Sequence, residues 1–165
     1  ARGIRAAPTL PSCVSIDMVT LPMDHWGEGD EVLLHGDYRA QNVLYDEETV
    51  SCILDWDDAS RGDRLLDLAY SLVFFRAVIA EGAPSAEAMA CFIQGYQVIR
   101  PLTPAEWDRL PQYLGLALRK GLALWSRIRH ETEDDDLGAR LLSWMASYAQ
   151  IDGQWPSYVD LMRRS

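Results

Sequence analysis

Lysine is almost absent from this sequence. Fourteen of the fifteen cationic side chains are arginines, and Lys120 is the single lysine. A reaction that needs a phosphate-binding lysine therefore has one candidate in the chain. Basic side chains are also outnumbered, because 25 Asp and Glu residues give a formal net charge of −10. Since nucleic-acid-binding surfaces need a basic stripe, this balance argues against a nucleic-acid partner.

Cysteine is scarce as well. The three cysteines, Cys13, Cys52 and Cys91, are widely spaced and odd in number, and no CxxC pair occurs. This pattern argues against a zinc knuckle, and unpaired cysteines favour a reducing compartment, which predicts a cytoplasmic protein. Cys52 lies within an apolar strand and is expected in the core.

Long apolar runs are missing too. Even the longest run without a charged residue, over 88–99, has only twelve residues, whereas a membrane span needs about 20. The N-terminal segment has no apolar h-region, so it does not resemble a secretory signal. Because the sequence does not begin with Met, we expect a processed or truncated piece. What is present, 48% hydrophobic and 24% charged residues, is typical of one globular domain.

The periodicity of the chain changes near residue 62. Before it, short apolar runs predict a strand over 31–34 and a hairpin of strands 43–45 and 50–54. After it, helical stripes dominate. Thr103-Pro104-Ala105-Glu106 is a capping box that opens the third helix, and Pro111 is expected to break that helix. Helices are predicted over about 63–81, 85–100, 103–129 and 137–150, with a last short one from Trp155.

These elements predict an α+β, mostly α, architecture in which a small β-hairpin is followed by about five helices. We divide this single domain into three parts. They are a lead-in loop with a short helix over 1–30, a hairpin region over 31–62, and a helical subdomain over 63–165.

Polar side chains are concentrated around the hairpin. Asn42 directly precedes its first strand and Asp55 directly follows its second, so the two should meet at its open end. Their hard oxygens suit Mg²⁺, which keeps waters and recruits phosphate oxygens. Asp37 lies five residues before Asn42, where a carboxylate could accept a hydroxyl proton. Phosphoryl transfer needs this combination of metal ligands and a base.

The segments HGDYRAQN, ILDWD and GDRLLDLAY, within residues 33–70, resemble the catalytic lobe of the aminoglycoside phosphotransferase superfamily, which includes choline kinases and type II homoserine kinases. The resemblance rests on three motifs in the family's order, with Asp55 thirteen residues after Asn42. It implies the C-terminal lobe of a protein-kinase-like fold. It also implies ATP as phosphoryl donor and Mg²⁺ as cofactor.

The same resemblance implies roles for individual residues. Asp37 would be the catalytic aspartate, and Asn42 and Asp55 would hold Mg²⁺. His35 would brace the catalytic loop, and Asp67 would bind the backbone of that loop. Asp63 is more simply explained as a helix cap, whereas Asp57 and Asp58, just after the metal aspartate, could contact substrate or lie in a solvated turn.

The family's N-terminal nucleotide-binding lobe has no counterpart in this sequence. About 34 residues precede the motif, and Lys120 is far from the position of the lobe's β-strand lysine. We therefore expect this chain to be only the catalytic and substrate side of the kinase, which needs the nucleotide-binding lobe in cis or in trans. Without that lobe, we expect the chain to be inactive and to self-associate. Three alternatives are a non-catalytic kinase-like module, a protein kinase and an unrelated helical interaction domain. The protein kinase is disfavoured because HGD and DWD replace HRD and DFG and no APE segment follows.

The acceptor is the least defined feature. We expect a hydroxyl on a small molecule such as an aminoglycoside, an amino alcohol or homoserine. The acidic segment 131–136 could attract a cationic acceptor. The helix that contains LALRKGLALWSRIR could instead bind a carboxylate through Arg119, Lys120, Arg127 or Arg129. Arg119 and Arg127 are the selected candidates, and we slightly favour an amino acid or amino alcohol.

Overall fold

The computed structural model describes residues 31–75, 85–131 and 135–164. Four short strands come first, and five helices follow them. The strands are β1 (Glu31–Leu34), β2 (Val43–Asp46), β3 (Thr49–Ile53) and β4 (Ser60–Asp63). The helices are α1 (Leu65–Phe74), α2 (Ala86–Ile99), α3 (Pro104–Glu131), α4 (Asp135–Ala149) and α5 (Trp155–Arg164). This is the predicted α+β, mostly α, class.

Two antiparallel strand pairs hold the loops that precede the helices. β2 pairs with β3 as the predicted hairpin, with Val43 opposite Ile53 at its open end. β1 pairs with β4, with Glu31 opposite Asp63. β4 has the sequence SRGD and was not predicted, because it lacks an apolar run and exists only through its pairing with β1.

The helix ends follow the local signals. Ser85 caps α2, since its side chain accepts a hydrogen bond from the amide of Ala88 at 3.2 Å. Thr103 and Glu106 form the reciprocal capping box at the start of α3. The Glu106 amide donates to the Thr103 hydroxyl at 3.3 Å, and the Thr103 amide donates to the Glu106 carboxylate at 2.7 Å. Both start signals of the sequence are therefore confirmed.

The expected break at Pro111 is wrong. α3 is one helix of 28 residues with Pro111 inside it. A proline removes one hydrogen bond from the helical ladder, but Leu110 and Leu114 on either side are completely buried. Packing of this helix face against α1 outweighs the local cost, because tertiary contacts provide most of the stability of helices in proteins.

The core lies among the five helices. α1 packs on α3, and α5 packs on both α2 and α3. The close approach of α1 and α3 requires glycine at position 121, since a Cβ there would lie 2.2 Å from the Phe74 ring. Phe74 in turn stacks on Tyr148 of α4 with 5.3 Å between ring centroids. Gly121 therefore fixes the spacing of the helices that carry the site described below.

Cys52 differs from its prediction: the side chain is exposed, because β2 and β3 form a separate two-stranded sheet that leaves much of their surface open. Three predictions lie outside the described residues: the 1–30 lead-in, the end of the first helix beyond residue 75, and the loop over 132–134. No helix in the described part of the chain has the length and apolarity needed to cross a membrane.

Candidate active site

The loop between β1 and β2, residues 35–42, is anchored to the first turns of α1 through Asp67. One carboxylate oxygen, Oδ2, accepts the amide of His35 at 2.5 Å, and the other accepts the amide of Gly36 at 2.9 Å. Hydrogen bonds to an ionised acceptor are among the stronger ones in proteins. The contact that the resemblance implied for Asp67 is therefore present.

His35 links this loop to the segment that follows β3. The ring is buried, with 4% exposure, and its Nδ1 accepts the amide of Asp37 at 3.3 Å. The ring proton is therefore on Nε2, which donates to the carbonyl of Leu54 at 2.8 Å. His35 thus fixes the residue directly before Asp55 relative to Asp37.

Asp37 and Asn42 are in direct contact. The Asn42 Nδ2 group donates to the Asp37 carbonyl at 2.9 Å and to its carboxylate at 3.1 Å. Both bonds use the amide nitrogen, so the Asn42 Oδ1 oxygen is left outside them. The candidate base and the candidate metal ligand therefore belong to one hydrogen-bonded unit.

Arg39 completes that unit, and the sequence analysis missed it. Its Nη2 donates to Asp37 Oδ2 at 2.5 Å, whereas its buried Nε has no hydrogen-bond partner among the described residues. The ion pair orients the Asp37 carboxylate toward one side of the loop. The sequence signal that could have identified Arg39 is its position two residues after Asp37 in HGDYR, on the same short loop.

Asp55 lies at the open end of the hairpin, as its spacing predicted. The amide of Leu54 donates to the carbonyl of Asn42 at 2.8 Å, which brings the residue before Asp55 against Asn42. Asp55 is exposed and has a backbone φ of +62°, in the left-handed region that costs a non-glycine residue roughly 1–2 kcal/mol. Such strain is concentrated at functional sites.

The donor set at this end fits Mg²⁺. Asn42 Oδ1 and the Asp55 carboxylate supply hard oxygens, and Mg²⁺ usually takes one or two protein carboxylates and completes its shell with water and phosphate oxygens. The described residues contain no cluster of three or more His, Cys, Asp or Glu side chains suited to a metal ion. The metal-binding roles of both residues stay predictions.

Gly36 allows the segment around Asp58, which follows Asp55, to pack against the catalytic loop. Its φ is +84°, and a Cβ at this position would lie 2.4 Å from the carbonyl oxygen of Asp58. Both the backbone conformation and the contact exclude a side chain. The backbone conformation and this contact therefore explain why the second residue of the HGD motif is glycine.

Asp63 caps α1, as predicted, and also joins it to α3. Its Oδ1 accepts the amide of Leu65 at 2.9 Å, while Oδ2 accepts Arg109 Nη1 and the Tyr113 hydroxyl, both at 2.8 Å. Burial, followed by the hydrogen bond and negative charge of Asp63, raises the pKa of Tyr113 to about 12. Asp63 therefore has a structural role, because it joins the start of α1 to α3 beside the candidate site.

A small cavity of about 130 Å³ opens on the α1 and α3 side of the catalytic loop. Its polar lining includes two side chains that the sequence analysis did not select for the site, Tyr70 and Lys120. Burial raises the pKa of Tyr70, and the nearby negative charge of Asp37 raises it further. The Lys120 Nζ lies 5.5 Å from the centroid of the Tyr70 ring. Because Gly36 also lines the cavity, the cavity adjoins the catalytic loop directly before Asp37.

The three candidate substrate-binding residues lie elsewhere. Asp57 is exposed, Arg119 lies against Gly115 of its own helix, and Arg127 faces Glu131 one turn away at 3.9 Å. None of them lines this cavity or the larger one, of about 260 Å³, on the other side of the loop. Their substrate contacts stay predictions.

Comparisons with known proteins agree with this geometry. The model of the "Phosphotransferase enzyme family" matches residues 10–110. A homoserine kinase of Phenylobacterium zucineum is 32% identical over 117 residues, which cover 70% of this chain and 36% of that protein. A probable ketoamine kinase of Lactiplantibacillus plantarum is 36% identical over 81 residues, or 49% of this chain and 25% of that protein.

The chain thus spans about a third or less of the curated kinases that it matches. No solved structure matches it significantly. The family match covers more than half of the chain and includes the catalytic loop, the hairpin and Asp67. This chain therefore belongs to the phosphotransferase enzyme family, as the resemblance of its motifs predicted.

Proposed function

We propose that this chain is the catalytic and substrate-side part of an ATP-dependent kinase that phosphorylates a hydroxyl group of a small molecule. The observation that carries the proposal is the contact between Asp37 and Asn42 beside Asp55. This contact supports a candidate base and two candidate hard-oxygen ligands within one short loop and the hairpin that follows it. Phosphoryl transfer depends mainly on positioning and charge stabilisation of this kind.

In the proposed reaction, Asp37 orients the acceptor hydroxyl and takes its proton as the oxygen attacks the γ-phosphorus of ATP. The bond between that phosphorus and the bridging oxygen breaks, and ADP leaves. Arg39 and Asn42 hold the Asp37 carboxylate in place. Asn42 and Asp55 would hold Mg²⁺, which neutralises charge on the nucleotide phosphates when it is bound.

We also propose that a nucleotide-binding lobe, in cis or in trans, covers the hairpin side of the site. Six large apolar side chains of residues 31–62 are exposed there: Leu33, Leu44, Tyr45, Val50, Leu54 and Trp56. Exposed apolar patches mark protein contacts. Without such a lobe, this surface would favour self-association.

A cytoplasmic location is part of the same proposal. Cys52 and Cys91 are free and exposed, and a reducing compartment preserves such thiols. The acceptor is proposed to be a small amino acid or amino alcohol in preference to a polycationic antibiotic, because the cavity beside Asp37 is small.

An ATP-consumption screen of the full-length protein tests this function. The acceptors are homoserine, choline, amino sugars and aminoglycosides, each with Mg²⁺ and with excess chelator. We expect acceptor-dependent ADP formation that the chelator abolishes, with one phosphorylated acceptor for each ADP. If no acceptor is phosphorylated although the protein is folded, a non-catalytic kinase-like module becomes the better interpretation.

A further inference from the structure

The cavity beside the catalytic loop contains a cation that the proposed mechanism does not use. Lys120 is the only lysine of the chain, and its ammonium lies over the Tyr70 ring. Among the described residues it forms no ion pair, whereas six other cations do. An ammonium that lines a cavity and forms no ion pair with a protein carboxylate is available to an anionic group of a ligand.

The position of Lys120 near Asp37 indicates which kind of ligand would supply this anionic group. Gly36, the residue directly before Asp37, lines the cavity together with Tyr70 and Lys120, and the Lys120 ammonium lies 5.5 Å from the centroid of the Tyr70 ring. The cavity therefore extends from the Lys120 ammonium to the catalytic loop beside the candidate base. A small molecule in this cavity could place its hydroxyl at Asp37 and an anionic group at Lys120.

A nucleotide phosphate is the other anion to consider. The candidate metal ligands Asn42 and Asp55, where the phosphates are proposed to bind, do not line this cavity. Its lining comes instead from β1, the catalytic loop, the segment over 58–60, α1 and α3. The candidate metal ligands are therefore outside the cavity that Lys120 lines, and we assign this cavity to the acceptor.

The cavity also limits the size and charge of the acceptor. Its volume of about 130 Å³ is well below the roughly 300–1,000 Å³ of pockets for drug-sized ligands, so it suits a molecule of few heavy atoms. Asp58 lines the same cavity and offers a carboxylate to an amine. The cavity therefore presents both signs of charge to one small ligand.

We infer that Lys120 binds the carboxylate of the acceptor and selects small hydroxy acids, with hydroxylated amino acids as the best fit because Asp58 can face their amine. This inference rests on the proposed function and narrows its acceptor class. It assigns the carboxylate to Lys120 rather than to Arg119 or Arg127, which line neither cavity described above.

Three acceptors separate the contributions of the two charges. L-Homoserine has both the carboxylate and the amine, 4-hydroxybutyrate lacks the amine, and the amino alcohol 3-aminopropanol lacks the carboxylate. The KM of each acceptor and the KM of ATP are measured with the full-length wild type, Lys120→Gln and Lys120→Arg. Arg164→Gln removes a charge from an exposed position at the end of α5 and is the matched control.

Loss of a charge-assisted hydrogen bond should raise the KM of the two carboxylate acceptors by about tenfold to 100-fold in Lys120→Gln. The KM values for the amino alcohol and for ATP should stay unchanged, Lys120→Arg should recover most of the loss, and the control should match wild type. Because Lys120 is exposed, the variants should unfold at the wild-type temperature.

An equal rise in KM for all three acceptors, or a rise for ATP alone, would overturn the inference while the proposed function stands. Calorimetric binding of L-homoserine provides a second measurement that does not need turnover. If wild type and Lys120→Gln bind it equally well, or neither binds it, the carboxylate site is refuted. If wild type binds it and Lys120→Gln does not, but no acceptor is phosphorylated, the site stands and the kinase proposal fails.

Discussion

Glu106 offers the sharpest test of how the helices hold the site, because its carboxylate is surrounded by donors. Arg64, which directly follows the β4 strand, donates from Nε at 2.5 Å and from Nη2 at 2.7 Å. Thr103 adds its amide at 2.7 Å and its hydroxyl at 2.9 Å. The start of α1 is thus fastened to the start of α3.

These contacts make the stability of the protein depend on pH. Burial alone would raise the pKa of Glu106, but the hydrogen bonds from Arg64 and Thr103 and the charge of Arg64 lower it from 4.5 to about 2. This difference corresponds to roughly 3 kcal/mol of folding free energy. Because the pKa is lowered in the folded state, this contribution is complete well above pH 4.5 and is lost as the pH falls toward 2.

The perturbation is Glu106→Gln, followed by urea unfolding with tryptophan fluorescence from pH 7 to pH 3. We expect wild type to exceed the variant by about 3 kcal/mol at pH 7, and the difference to shrink to about 1.5 kcal/mol at pH 3. Asp108→Asn, which removes an acid paired with Arg163 at 3.4 Å in an exposed position, should change the stability little. A difference between wild type and Glu106→Gln that is the same at both pH values would refute the linkage.

The remaining predictions concern the site itself. Asp55→Ala should abolish Mg²⁺-dependent turnover in the full-length protein, and Asn42→Ala should weaken it; equal turnover in Mg²⁺ and in chelator contradicts both. Gly36→Ala should lower the unfolding free energy by at least about 1–2 kcal/mol and reduce kcat, because its Cβ would meet Asp58; wild-type stability in urea unfolding argues against the described loop. The 165-residue chain alone should bind ATP no more tightly than about 1 mM, and micromolar affinity in a monomeric sample by calorimetry opposes the need for a second lobe.

Local signals predicted the elements that local chemistry determines. Ser85 and the Thr103–Glu106 capping box mark helix starts because their side chains bond to amides only a few residues away. The hairpin followed from two apolar runs around a turn. β4 and the continuity of α3 through Pro111 depend on contacts with β1 and α1, which the local pattern does not contain.

The residues of the candidate site show the same difference between local signals and long-range contacts. The spacing of Asn42 and Asp55 brings them to one hairpin end, as predicted. Tyr70 was missed, and Lys120 was named only among the cations of its helix, because the cavity depends on how closely α3 packs against α1, which Gly121 and Phe74 determine over a long sequence separation. Arg119 was preferred over its neighbour Lys120 because charge alone does not reveal which side of a helix faces a cavity.

The central claim is that Asp37 acts on the acceptor hydroxyl in phosphoryl transfer. The most direct measurement compares kcat of full-length wild type and Asp37→Asn with the best acceptor at saturating ATP and Mg²⁺. We predict a loss of about 10²–10⁴ in kcat, with the KM of ATP and the urea unfolding curve close to those of wild type. A kcat within about twofold of wild type would remove Asp37 from the mechanism and contradict the account.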